Sequence, residues 1–173
     1  MPRLLVTPLS SLSDVLSQHA PSHLVSLLSP DHMIATPAGF APGLHLRLGV
    51  NDIVDPALGT APPARAHIEQ LLEFSRGWDA RQPMVLHCWA GISRSMASAF
   101  AILCDRIGPG REIEIARAMR QRAPHAQPNR LLVQHADDVL GRGGKMIRAV
   151  NSMGPARMVE EGVTTAFPLV GLV

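Results

Sequence analysis

The stretch His87-Cys88-Trp89-Ala90-Gly91-Ile92-Ser93-Arg94-Ser95 decides how the rest of the chain is read. One cysteine precedes one arginine by six positions, with a hydroxyl residue directly after. The apolar run Pro83-Met84-Val85-Leu86 leads into it, and Met96 to Leu103 follows with small and apolar residues. This order predicts strand, tight loop, helix. Such a junction turns backbone N–H groups and the positive end of a helix toward one point, which makes an anion site. A cysteine at the start of the loop sits in a field that favours the thiolate over the thiol. The segment therefore predicts an oxyanion cradle and a nucleophile in one place.

Working outward, the elements alternate. Arg3 to Thr7 reads as a first strand, and Ser10 to Asp14 supplies caps for a short helix to about Ala20. His23 to Leu28 reads as a buried strand. Leu44-His45-Leu46-Arg47-Leu48 alternates apolar and polar, as a strand with one wet face does. Asn51 to Pro63 is rich in turn residues. A helix from about Pro63 to Arg76 carries Ile68, Leu71, Leu72 and Phe74 on one side. Past the central loop, helices are expected over Glu112–Gln121 and from Asn129 to about Leu140, the last either stopping there or running on to Val150, with Gly141-Arg142-Gly143-Gly144-Lys145 read as a helix interruption. Strands alternating with helices predict an α/β fold, a central mainly parallel sheet with helices on both sides. Residues 1–150 are expected to form one domain, and residues 151–173 a C-terminal tail docked on it through its apolar end, Phe167 to Val170.

Bulk properties set limits. With 173 residues, 46% hydrophobic and 17% charged, the chain can bury a real core and is not disordered. It holds four Phe, two Trp and no Tyr, so the core must be aliphatic. A net charge of +2 with scattered arginines gives no nucleic-acid footprint. No window supplies the roughly 20 apolar residues of a membrane helix, and the N-terminal apolar run is too short for a signal peptide. Cys88 and Cys104 make no disulfide framework. With Cys104 four turns along the following helix, the two lie roughly 24 Å apart at 1.5 Å per residue, so Cys104 reads as a buried hydrophobe. A reactive thiol fits a reducing compartment, and a cytoplasmic location is expected.

Cys-x5-Arg followed by Ser, in the fuller form H-C-x-x-G-x-x-R-S, resembles the signature of the cysteine-based protein tyrosine phosphatase superfamily, in its compact bacterial and dual-specificity branches. The motif covers nine residues, and the order of elements extends the likeness from about Leu44 to Leu140. The resemblance implies that Cys88 attacks phosphorus and that Arg94 clamps two phosphoryl oxygens. It implies that the N–H groups of Trp89, Ala90, Gly91, Ile92, Ser93 and Arg94 bind phosphate, sulfate or vanadate. Ser95 would donate to the Cys88 sulfur, His87 would orient the loop from behind, and Asn129 would cap a helix with a supporting role at the site. A general acid is also implied, an aspartate on a separate loop. Asp52 and Asp55 lie 36 and 33 positions before Cys88, and the Asn51-Asp52 pair after an alternating strand favours Asp52. The Trp-Pro-Asp sequence of the larger tyrosine phosphatases is missing.

The resemblance implies no metal and no cofactor, and hydrolysis of a phosphomonoester with an acidic pH optimum. The loop's neutral residues Trp89, Ala90 and Ile92 favour a phosphoprotein or phosphopeptide over an inositol headgroup, and Trp89 is a candidate wall of a shallow pocket. Two other readings stay open: a catalytically silent phosphate-binding pseudophosphatase, and a rhodanese-like sulfurtransferase, which does not ask for the arginine–serine pair. Asp79 reads as a solvated turn residue. Arg142, Lys145 and Arg148 read as a solvated basic face.

Overall fold

A computed structural model describes residues 3–173. Five strands form one sheet in the order β3-β2-β4-β1-β5: β1 (Arg3–Pro8), β2 (His23–Leu28), β3 (His45–Gly49), β4 (Met84–Cys88) and β5 (Thr165–Pro168). The first four are mutually parallel where they pair, and β5 runs antiparallel along β1. All five residues of β4 are buried, as a central parallel strand requires. Parallel pairing brings the carboxyl ends of β1, β2, β3 and β4 to one edge of the sheet. There Pro8 lies opposite Cys88, at the place where open α/β sheets bind ligands.

The two faces of the sheet are covered unequally. On one, α1 (Leu12–His19) packs Leu12 and Val15 against Leu5, Leu24 and Val85. The other carries the main core, built by α2 (Arg65–Arg76), α3 (Arg94–Ile107), α4 (Glu112–Arg122), α5 (Arg130–Val139) and α6 (Lys145–Asn151). In α2 the buried residues Ile68, Leu71, Leu72 and Ser75 fall at spacings of three and four, one stripe of a 3.6-residue period. In α3 every residue from Arg94 to Cys104 is buried. It is the helix that both begins the site and fills the centre of the domain. No helix among the described residues is long and apolar enough to cross a membrane.

The last helix is interrupted at the Gly141–Lys145 segment, as its glycines predict: α5 ends at Val139, and Gly141, Gly143 and Gly144 take positive φ before α6 begins at Lys145. Arg142, in that break, is not part of a solvated face. It is buried, donates to the Cys104 carbonyl at 2.9 Å and stands 3.5 Å from the buried Glu112 carboxylate. The carboxylate of buried Asp137 also serves the break, accepting from the Gly144 and Met146 N–H groups. In β3 the alternating segment forms a strand, with His45 buried and Arg47 exposed. Cys104 is fully buried, and burial pushes its thiol up, with Glu112 adding to the effect.

Candidate active site

The Cys88–Ser95 loop joins β4 to α3 as its sequence predicts. Cys88 is buried at the end of β4, and its Sγ lies 3.1 Å from the Ser95 Oγ. The loop's carbonyls are turned outward, and four separate pieces of chain hold them. Leu9 N–H donates to the Trp89 carbonyl at 3.1 Å, Gly162 N–H to Ala90 at 2.8 Å and Gln127 N–H to Ile92 at 2.9 Å. The Ser93 carbonyl takes Ala97 N–H at 2.9 Å and Asn129 N–H at 3.3 Å. Among the described residues, none of the N–H groups of Trp89 to Arg94 donates to a protein acceptor. A peptide unit whose carbonyl is tied outward has its N–H on the other side, so the cradle is set before any anion arrives.

Gly91 is required twice over. Its φ is +69°, a left-handed conformation, and a Cβ there would stand 2.7 Å from the Pro8 nitrogen. The loop therefore presses directly on the end of β1.

Arg94 begins α3 and is only 5% exposed. One guanidinium nitrogen donates to the Val50 carbonyl at 2.9 Å, which fixes the fork. Its Nε is buried without a hydrogen-bond partner and stands 3.7 Å from Asp52 Oδ2. Asp52 is held by its other oxygen: Oδ1 accepts from Ser93 Oγ at 2.7 Å and from Asn129 Nδ2 at 3.0 Å. Asn129 has two jobs at once. Its Oδ1 accepts from Leu131 and Leu132 N–H groups, capping α5, while its Nδ2 also donates to the Ile53 carbonyl. The cap of a helix thus clamps the aspartate loop onto the signature loop.

Asp55 is placed elsewhere. Its Oδ1 accepts from Ala57 N–H in a short turn of 3-10 helix, facing solvent. Asp79 likewise accepts from Arg81 N–H in an exposed turn. Trp89 is 57% exposed, and its ring meets the edge of His32 at a centroid distance of 5.6 Å. Those two residues, with Leu28, Ser29 and Arg94, line a pocket of about 260 Å³. Beside it a wider groove of about 930 Å³ runs past Asp52, Leu58, Asn129 and Met153.

His87 lies behind the loop, fully buried. Its Nε2 is 2.6 Å from Ser26 Oγ, which in turn is 2.8 Å from His45 Nε2. Burial lowers the pKa of both histidines to about 4, with the charge of Arg94 adding to the effect at His87. Neither Ser26 nor His45 stands out in the sequence. Gly162 does not either, yet it completes the loop from the far end of the chain. A Cβ at Gly162 would come within 2.7 Å of the His125 ring. Gly162→Val is expected to push this strand of tail away from the Ala90 carbonyl. Overpacking of this kind costs about 1–3 kcal/mol, and a urea titration of the variant beside the parent checks it.

No protein-family model matches the chain, and no curated protein matches it. Solved structures do. DUSP15 is 20% identical with a TM-score of 0.58, over 93% of this chain and 96% of that one. A variant of human DUSP28 is 25% identical with a TM-score of 0.50, over 74% of this chain and 81% of that one. The chain has the cysteine-based, dual-specificity-phosphatase-like fold: a five-stranded, mostly parallel sheet with six helices.

Proposed function

We propose that the chain is a phosphomonoester hydrolase of the protein tyrosine and dual-specificity phosphatase type, acting through a cysteinyl-phosphate. One observation carries this reading: the Cys88 sulfur, beside the Ser95 hydroxyl, begins a loop whose N–H groups are unclaimed and which ends on a buried Arg94 with Asp52 3.7 Å from its Nε. A binding module needs the cradle and the arginine. It has no use for a carboxylate held 3.7 Å from that arginine, nor for a hydroxyl on the sulfur.

The roles follow from the geometry. A phosphoryl group seated on the N–H cradle accepts two hydrogen bonds from the Arg94 fork, which is preset by Val50. The Cys88 thiolate attacks phosphorus, forming the S–P bond as the P–O bond to the leaving group breaks. The proton needed by the leaving oxygen comes from Asp52. Oδ2 is the oxygen available for it, since Oδ1 is occupied by Ser93 and Asn129. In the second step water attacks phosphorus and gives a proton to Asp52. The S–P bond breaks, and Ser95 donates to the departing thiolate sulfur. The chain's own donors stabilise the charge, so no metal or cofactor has a role in either step.

Phosphoproteins are the proposed substrates. The pocket mouth is formed by Trp89 and His32, with no lysine in the loop to meet a second phosphate. A thiolate-dependent reaction belongs in a reducing compartment, for which the cytoplasm is the proposed setting. The test is hydrolysis of p-nitrophenyl phosphate in the presence of chelator, with rapid acid quench to trap phosphate on Cys88. Asp52→Asn is expected to lower kcat about 100-fold, the usual scale for losing a general acid, with little change for Asp55→Asn. Equal activity of Asp52→Asn and the parent would remove Asp52 from the mechanism. Tight vanadate binding without turnover would replace the enzyme by a phosphate-binding module, and sulfur transfer from thiosulfate to cyanide would mark a rhodanese-like reaction instead.

A further inference from the structure

A line of four side chains crosses the fold behind the signature loop. Thr36 Oγ1 is 3.0 Å from His45 Nδ1, His45 Nε2 is 2.8 Å from Ser26 Oγ, and Ser26 Oγ is 2.6 Å from His87 Nε2. The line steps from the 33–41 loop through β3 and β2 to β4, whose partnered positions bring Ser26 beside His87. Ser26 and His87 are wholly buried and His45 nearly so. His87 Nδ1 is also buried and has no hydrogen-bond partner.

Counting protons restricts this line to two arrangements. Burial keeps both rings neutral at working pH, so each carries one N–H. Ser26 has a single O–H and faces two Nε2 atoms. It must donate to one and accept from the other, so every donor in the line points the same way. If the donors run toward Thr36, His87 keeps its hydrogen on Nε2 and aims a bare lone pair of Nδ1 at its unpartnered side. If they run from Thr36, His87 carries its hydrogen on Nδ1. With Nε2 taken by Ser26, the Cys88 backbone bears on His87 from the side of Nδ1, short of a full hydrogen bond. A lone pair turned toward the Cys88 carbonyl is repelled, and an N–H is attracted.

We propose that Ser26 and His45 are positioning residues for the reaction at Cys88, holding His87 in the tautomer that points its Nδ1 hydrogen at the Cys88 backbone. The proposal rests on the phosphatase reading for its purpose. A donor fixed behind the nucleophile draws charge toward the cradle and stabilises negative charge on the sulfur that attacks phosphorus. The groups that bear on His87 are Cys88 on its own strand, His45 on β3 and Arg94 on α3, while Arg47 acts on His45. Thr7 on β1 lies opposite His87 and is uncharged.

Two measurements test this without requiring turnover. In the full chain labelled with 15N-histidine, the nitrogen shifts of His87 at neutral pH are expected to show hydrogen on Nδ1 and none on Nε2. The reverse tautomer overturns the proposal, and this reading needs no variant. Second, Cys88 alkylation by iodoacetamide is followed at about pH 6 and about pH 9, Cys104 being buried and unreactive. Ser26→Ala and His45→Phe are expected to slow the reaction about tenfold at the lower pH, the scale of one hydrogen bond to a charged-site network, and to leave the higher-pH rate unchanged. His45→Gln, whose amide N–H can replace the Nε2 donor, is expected to restore the rate to within about twofold. Equal low-pH alkylation in parent and Ser26→Ala overturns the proposal. Failure of the relay would leave p-nitrophenyl phosphate hydrolysis by the parent intact, and absence of hydrolysis would leave the tautomer and alkylation results standing, so the two readings fail separately.

Discussion

Cys88→Ser is expected to lower kcat toward p-nitrophenyl phosphate by about 10⁵, the scale seen when a covalent nucleophile is removed. The substitution exchanges one sulfur for one oxygen at a buried position, within 3.1 Å of Ser95. An alcohol is a far weaker acid than a thiol, so the serine does not supply the attacking anion. The cradle is made of N–H groups and Arg94, none of which changes. Vanadate or phosphate binding is therefore expected to survive within about tenfold, and thermal stability to shift by less than about 1 kcal/mol. Loss of turnover with retained anion binding separates the nucleophile from the cradle. Activity within tenfold of the parent would exclude covalent catalysis by Cys88.

Arg94→Lys ranks second, with an expected loss of about 10³ in kcat/KM, the effect of deleting a preset donor to the transition state. Charge is conserved, so the loss measures geometry. Arg94 spends one nitrogen on the Val50 carbonyl and keeps the remainder of its planar fork for the ligand. A lysine ammonium is a single point of charge on a flexible stem and cannot both reach Val50 and chelate two oxygens. It also leaves Asp52 without the neighbour 3.7 Å away that sets its position. Parallel titrations with vanadate are expected to show weaker binding by a smaller factor than the rate loss, because the transition state engages the fork more fully than the ground state does. A loss under tenfold would mean that the N–H cradle alone carries the charge.

Much of this site is legible in the sequence because its chemistry is contiguous. Nucleophile, cradle, arginine and hydroxyl occupy eight consecutive positions, and the strand and helix around them follow from short apolar runs. Asp52 is reached only through the resemblance, which asks for an aspartate on a separate loop ahead of the cysteine. Asn129 announced itself as a cap, but its second bond, to Asp52, depends on how α5 docks and has no local signal. The rest was hidden for the same reason. His45 occupies a polar position of an alternating strand, and its partners Ser26 and Thr36 come from β2 and from a separate loop, which no local pattern announces. Arg142 looks like one of three surface cations, and only a helix break turned inward gives it the Cys104 carbonyl and Glu112. Gly162 is an ordinary glycine until the tail returns past His125 to meet the loop.

That return has a consequence for how the protein comes into being. The Ala90 carbonyl waits for an N–H that lies seventy-two positions later, and β1 waits for β5. A ribosome making this chain has displayed the whole signature long before it reaches residue 162. During that interval the motif is present while the Ala90 carbonyl and the free edge of β1 still lack the partners that the tail brings.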